Sequence, residues 1–114
     1  MSKEIVLLPP RHLKPLTRRW WAGVLADYEL QPHHIKLLTM AGEAWDRCCA
    51  ARAVIDQDGM TYVDRFGDPR ARPEVKIEND NRISFCRIVR ELDLDVAAPP
   101  AASRPPLLKS LRRS

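Results

Sequence analysis

The stretch from His33 to Gln57 constrains the fold more than any other part of the chain. It contains no proline and one glycine, and it lies between Pro32 and Gly59. Proline suits the first position of a helix, and glycine suits the residue that closes one. Within the stretch, Ile35, Leu38, Gly42, Trp45, Cys49 and Ala53 recur at steps of three or four, the spacing of one helical face. Small side chains crowd the same segment: Ala41, Gly42, Ala44, Cys48, Cys49, Ala50, Ala51 and Ala53. They let another helix approach closely, so packing on more than one side is expected. At about 1.5 Å per residue such a helix is roughly 40 Å long. In a chain of 114 residues that length predicts a helical hairpin or a contact between subunits.

The flanking segments supply the partners. Thr17 reads as an N-cap, and Trp20, Trp21, Val24, Leu25 and Tyr28 follow at helical spacing. A first helix is expected at about 17–29, ended by Gln31-Pro32. The long helix is expected at about 33–57 and a third at about 74–93, starting after Pro73. Ile77, Asn81, Phe85, Ile88 and Leu92 line one face of the third helix, with Val89 beside them. Between the second and third helices, Thr61, Tyr62 and Val63 have strand propensity, and Phe66-Gly67-Asp68-Pro69 supplies turn residues. A short β-hairpin or structured loop is expected at about 60–73, with Pro69 and Pro73 limiting a returning strand to an edge. The fold class is therefore mainly α. Residues 1–15, with Pro9, Pro10 and Pro15, read as a flexible arm; 16–94 read as one helical domain; 95–114 read as a disordered basic tail after a proline-rich linker.

The net charge of +4 is unevenly spread. Lys3, Arg11, Lys14, Arg18 and Arg19 face only Glu4 in residues 1–19, and Arg104, Lys109, Arg112 and Arg113 face only Asp95 in 95–114. The middle carries more acids than bases. Basic arms on a slightly acidic body suit a polyanionic partner, because mobile Lys and Arg can displace the counterions of phosphates. Solvated tails are the plain alternative. Cys48, Cys49 and Cys86 make no disulfide framework, since the count is odd and adjacent cysteines bridge only with strain. A reducing cytoplasm is expected. Ile5 to Leu8 is too short an apolar run for a signal peptide, and no stretch approaches the ~20 apolar residues of a membrane span.

No catalytic signature emerges, so a non-enzyme without cofactor is expected. Gly23, Gly42, Gly59 and Gly67 are too dispersed to build a phosphate-binding loop. His33 and His34 point about 100° apart on a helix and cannot chelate one ion as an i, i+4 pair would, so they read as polar residues of a first helical turn. No metal site is expected. Cys48 and Cys49 sit among alanines with Glu43 and Asp46 upstream, which does not activate a thiol. Three basic groups remain as candidates for DNA: Arg18 with Arg19 beside Trp20 and Trp21; Arg65, Arg70 and Arg72 around the hairpin; and Lys109, Arg112 and Arg113. One of the two rings Trp20 and Trp21 is expected in the core, with the other covering a neighbour. The first two helices and their short connection could also form the helix-turn-helix of a dimeric transcription regulator. The second helix, however, offers only Lys36 near its exposed start, against Glu43 and Asp46 further on. A regulatory adaptor whose partner is a protein is a third reading.

Several short strings follow one another along the chain. They are Thr17-Arg18-Arg19-Trp20-Trp21, Asp27-Tyr28-Glu29-Leu30, His33-His34-Ile35-Lys36-Leu37-Leu38, and Ala44-Trp45-Asp46-Arg47. Asp58-Gly59-Met60-Thr61-Tyr62, the run Asp64 to Glu74, and Arg90-Glu91-Leu92-Asp93-Leu94 complete them. Over about 17–94 the chain resembles the short class of phage terminase small subunits of tailed phages and prophages. The resemblance implies a non-catalytic component of viral genome packaging that forms a ring, binds viral DNA and regulates the large ATPase and nuclease subunit. The implied location is the cytoplasm of the bacterial host. Contacts between copies are expected through Trp21, Leu38, Gly42, Trp45, Cys49, Phe85 and Ile88. No DNA-binding residues carry over from the family, so the arginines rest on charge alone.

Overall fold

In a computed structural model, the structure describes residues 7–94 and the backbone of 111–112. Three helices dominate: α1 (Pro15–Asp27), α2 (Pro32–Asp58) and α3 (Pro73–Glu91). Each begins on a proline, whose fixed φ and missing N–H fit a first helical turn. The strands are short: β1 (Tyr28–Glu29), β2 (Thr61–Val63), β3 (Pro69–Ala71) and β4 (Leu111–Arg112). β2 and β3 form the expected antiparallel hairpin, pairing Thr61 with Ala71 and Val63 with Pro69.

α2 and α3 lie antiparallel as a long helical hairpin with β2–β3 at its tip, while α1 packs across the base. Leu13, Trp21, Val24, Tyr28, Leu38, Leu92 and Leu94 form the core there. Gly59 closes α2 with φ 86°, a left-handed conformation that glycine adopts without strain, and its N–H reaches Ile55 O at 2.8 Å. α3 ends differently. Asp93 takes φ 53°, and Leu94 N–H reaches back to Val89 O at 3.2 Å while Asp93 N–H reaches Arg90 O at 3.0 Å. These two nested bonds turn the chain so that both Leu92 and Leu94 enter the core.

Four sequence expectations change. Thr17 is not the N-cap: Pro15 starts the helix a turn earlier, and Thr17 is buried, its hydroxyl donating to Asp46 Oδ1 at 2.5 Å. The other oxygen of Asp46 accepts the Lys14 N–H at 2.8 Å, so a carboxylate from α2 holds the start of α1. The arm is not free throughout, since Leu13 is buried and His12 meets Glu43 at 2.8 Å. Gly42 accommodates that approach: a Cβ there would lie 3.1 Å from both Leu13 Cδ1 and Thr17 Cγ2. The buried face of α2 is His34, Leu38, Ala41, Gly42, Ala44, Cys48 and Ala51, a stripe rotated away from Trp45, Cys49 and Ala53. Finally, the tail is not wholly detached, because β4 pairs with β1. The reading of 95–110 as a disordered linker lies outside the described residues.

Candidate interaction surface on the helical hairpin

α3 contributes no buried residue anywhere along its length. It packs on α2 through half-buried side chains and leaves the two sides of the hairpin chemically different. On one side Phe85 sits between Trp45 of α2, ring centroids 5.0 Å apart, and Trp20 of α1, 5.6 Å away, both tilted by 49°. Tilted aromatic pairs of this kind add stability beyond the area they cover. With Leu16 and Thr17 they line an apolar groove of about 400 Å³. Leu16 is 75% exposed and Trp45 45% exposed at its rim. The tip is apolar as well, with Met60, Val63 and Phe66 exposed.

On the other side Arg47 and Arg87 line a shallow cleft with Asn81 and Ser84, above Met40 and Ile88. Neither arginine has an ion pair among the described residues. Glu43, the acid nearest in this lining, is engaged by His12. Two guanidinium groups beside a hydroxyl and an amide supply donors that can receive a phosphate oxygen, with the Glu43 carboxylate at the same cleft turned to His12. Neither arginine stands out in the sequence. Both lie in the net-acidic middle of the chain, and only the antiparallel pairing of α2 and α3 brings residues forty positions apart into one cleft.

The hairpin arginines expected to meet DNA each have a partner within the protomer. Arg72 donates from Nε to Gly59 O at 3.0 Å and from Nη2 to Asp58 O at 3.1 Å and Thr61 O at 3.3 Å. It satisfies carbonyls at the C-terminal end of α2, where a positive charge also favours the helix dipole. Arg72 is therefore a clasp across the base of the β-hairpin. Arg70 pairs with Asp64 at 2.9 Å, and the same carboxylate accepts the amides of Phe66 and Asp68. These bonds, Arg70's first, hold the Asp64 carboxyl below its ordinary range. Arg65 lies over the Phe66 ring, 4.9 Å from its centroid. Arg19 is exposed on α1, whereas Arg18 is partly covered, its Nε buried without a partner among the described residues. Lys109, Arg113 and the side chain of Arg112 lie outside the described residues.

Of the residues expected between copies, Trp21, Leu38 and Gly42 are consumed inside the protomer. Trp21 is in the core with its Nε1–H donating to Thr39 Oγ1 at 3.2 Å, whereas Trp20 covers Phe85, dividing the two rings as expected. Trp45 and Cys49 are exposed, and Phe85 and Ile88 half-buried. Cys48 is buried with its thiol 3.8 Å from Glu78 Oε1, and burial together with that carboxylate pushes its pKa up. A thiol held protonated is a packing group and a poor nucleophile. His34 lies in the first turn of α2, as expected, but inside the fold. It is buried and accepts the Gln31 N–H at Nδ1, closing the start of α2, and burial with His33 nearby lowers its pKa.

Among the described residues no cluster of three His, Cys, Asp or Glu side chains is placed to hold a metal, and no helix is long and apolar enough to cross a membrane. No family model, curated protein or solved structure matches the chain.

Proposed function

We propose that this protein is a non-catalytic, self-assembling DNA-binding subunit of the terminase small-subunit kind. In this reading it forms a ring of identical copies, binds double-stranded viral DNA in the cytoplasm of a bacterial host, and regulates a large subunit that carries the packaging ATPase and nuclease. The observation that carries it is the α2–α3 hairpin, which projects from the core with no buried residue on α3, with Trp45, Val63 and Phe66 exposed along it and Leu16 of α1 exposed beside it. A hairpin that covers so little of its own apolar surface is well suited to bury the remainder against copies of itself. The cleft holding Arg47 and Arg87 supplies phosphate chemistry on the opposite side, in place of the hairpin arginines favoured by charge alone.

Light scattering on a sizing column tests the assembly. A mass of many protomers is expected, and Trp45→Glu with Leu16→Glu should lower it. A protein that stays monomeric over a wide concentration range would overturn the reading. DNA binding is read from its salt dependence. Replacing Arg47 and Arg87 with Ala should weaken binding to a short duplex and reduce the log–log salt slope by about 1 for each lost phosphate contact. An unchanged slope would remove the cleft from the interface.

A further inference from the structure

β1 carries a contact that neither side of the hairpin explains. Its two residues pair antiparallel with β4, Tyr28 opposite Arg112 and Glu29 opposite Leu111. Tyr28 also holds the end of the helical body, its hydroxyl donating to Leu94 O at 3.3 Å. The chain thus leaves the body beside Tyr28 at Leu94 and meets Tyr28 again at Arg112. The intervening residues 95–110 could span roughly 50 Å if extended. A tether that long does not dictate where the tail settles, so the seat must select it.

Three features of the seat do so. β1 is a short extended segment between two helices, its Tyr28 N–H closing α1 on Val24 O, and β4 is its strand neighbour in the sheet. β1 contains Glu29 and follows Asp27, while β4 contains Arg112 and lies between Lys109 and Arg113 in the sequence, so the two segments have opposite charge. An open apolar groove lined by Trp20, Val24, Tyr28, Phe85, Val89 and Leu94 runs beside it, matching the leucine content of the segment Leu107 to Leu111.

We propose that β1 is a strand-addition site for an extended leucine- and arginine-containing peptide, and that its resident ligand is the C-terminal segment of the same chain. Two-residue pairing is marginal by itself, and the covalent tether sustains it by raising the local concentration of the segment. The seat is therefore exchangeable, and a free peptide of the same composition competes for it.

The test is disulfide trapping in the full chain, with the exposed Cys49 and Cys86 replaced by Ser. Glu29→Cys with Leu111→Cys places thiols at opposed positions, and Glu29→Cys with Ser103→Cys is the control on the same tether. Mild oxidation should close the first pair within one chain faster than the control, and added peptide of sequence Leu107–Ser114 should slow it. Equal rates for the two pairs, a bond formed only between chains, or no effect of the peptide would overturn the proposal. The rate difference between the two pairs and the effect of the peptide are read without DNA and at any subunit number, so the proposed function and this site fail separately.

Discussion

The two ends of the helical hairpin are built from the same helices by different means. At the base, Leu13, Trp21, Val24, Leu38, Leu92 and Leu94 bury large side chains from four segments of the chain. Towards the tip, the deepest residues are Cys48 and Ala51, and β2 and β3 have no buried residue. What holds the tip is polar: Arg72 on three carbonyls, Asp64 gathering Arg70 and two amides, and Glu78 shared between Arg52 at 3.7 Å and Arg82 at 3.1 Å. Small residues bring the helices close, but they remove little apolar area from water. The base is the part that folds the protomer. The tip is geometrically specified yet weakly secured, as expected of a surface that is completed by something else.

The largest expected effect lies at the base. Leu38→Ala removes a fully buried side chain and should cost about 2–5 kcal/mol in urea unfolding. Val63→Ala, on the exposed tip, should stay within about 0.5 kcal/mol. Similar losses at the two positions would break the contrast.

Arg72→Ala comes next. Leaving the carbonyls at the end of α2 without their shared donor should cost about 1–2 kcal/mol, with part of the loss recovered by water. The loss should be local: hydrogen exchange should quicken in β2, β3 and the last turn of α2, and stay unchanged around Leu38. A uniform increase would mean that tip and base unfold as one unit.

The smallest effect separates the ends by acid. His34, at the base, is neutral in the fold because burial lowers its pKa from the ordinary 6.5. The unfolded chain takes up that proton first, so stability from His34 is complete above 6.5 and declines as pH falls toward the lowered folded value. Asp64, at the tip, has its pKa lowered from 3.8, so its contribution is complete above 3.8 and is lost only as pH falls further. The base should therefore loosen at a higher pH than the tip. Following Trp21 and the hairpin amides separately during acid titration checks the order, and His34→Gln should remove the first step.

The helices were legible because proline and glycine punctuate them. Pro32 and Gly59 bound α2, and Pro73 opens α3, all within two residues of the expected positions. The rotation of α2 about its axis was not legible. In a segment so rich in alanine and cysteine, the large residues Trp45 and Ile35 dominate the periodic signal, while packing selects the small residues that permit close approach. Arg72 shows the corresponding limit for the site. Its charge is visible in the sequence, but the carbonyls that occupy it come from residues eleven to fourteen positions away and face it only after the hairpin has closed. Arg47 and Arg87 are the reverse case, two unremarkable helix-surface residues made into a pair by the pairing of α2 and α3. The candidate site depended on a register that no local pattern records.

The placement of the three tryptophans has an optical consequence. Trp21 is enclosed with its indole N–H on Thr39, whereas Trp20 and Trp45 flank Phe85 at the apolar groove. One fluorophore reports the protomer's interior, and two report its outer surface. Anything that seats in the groove should shield Trp45 from a soluble quencher and shift the emission of the outer pair, leaving the inner signal in place.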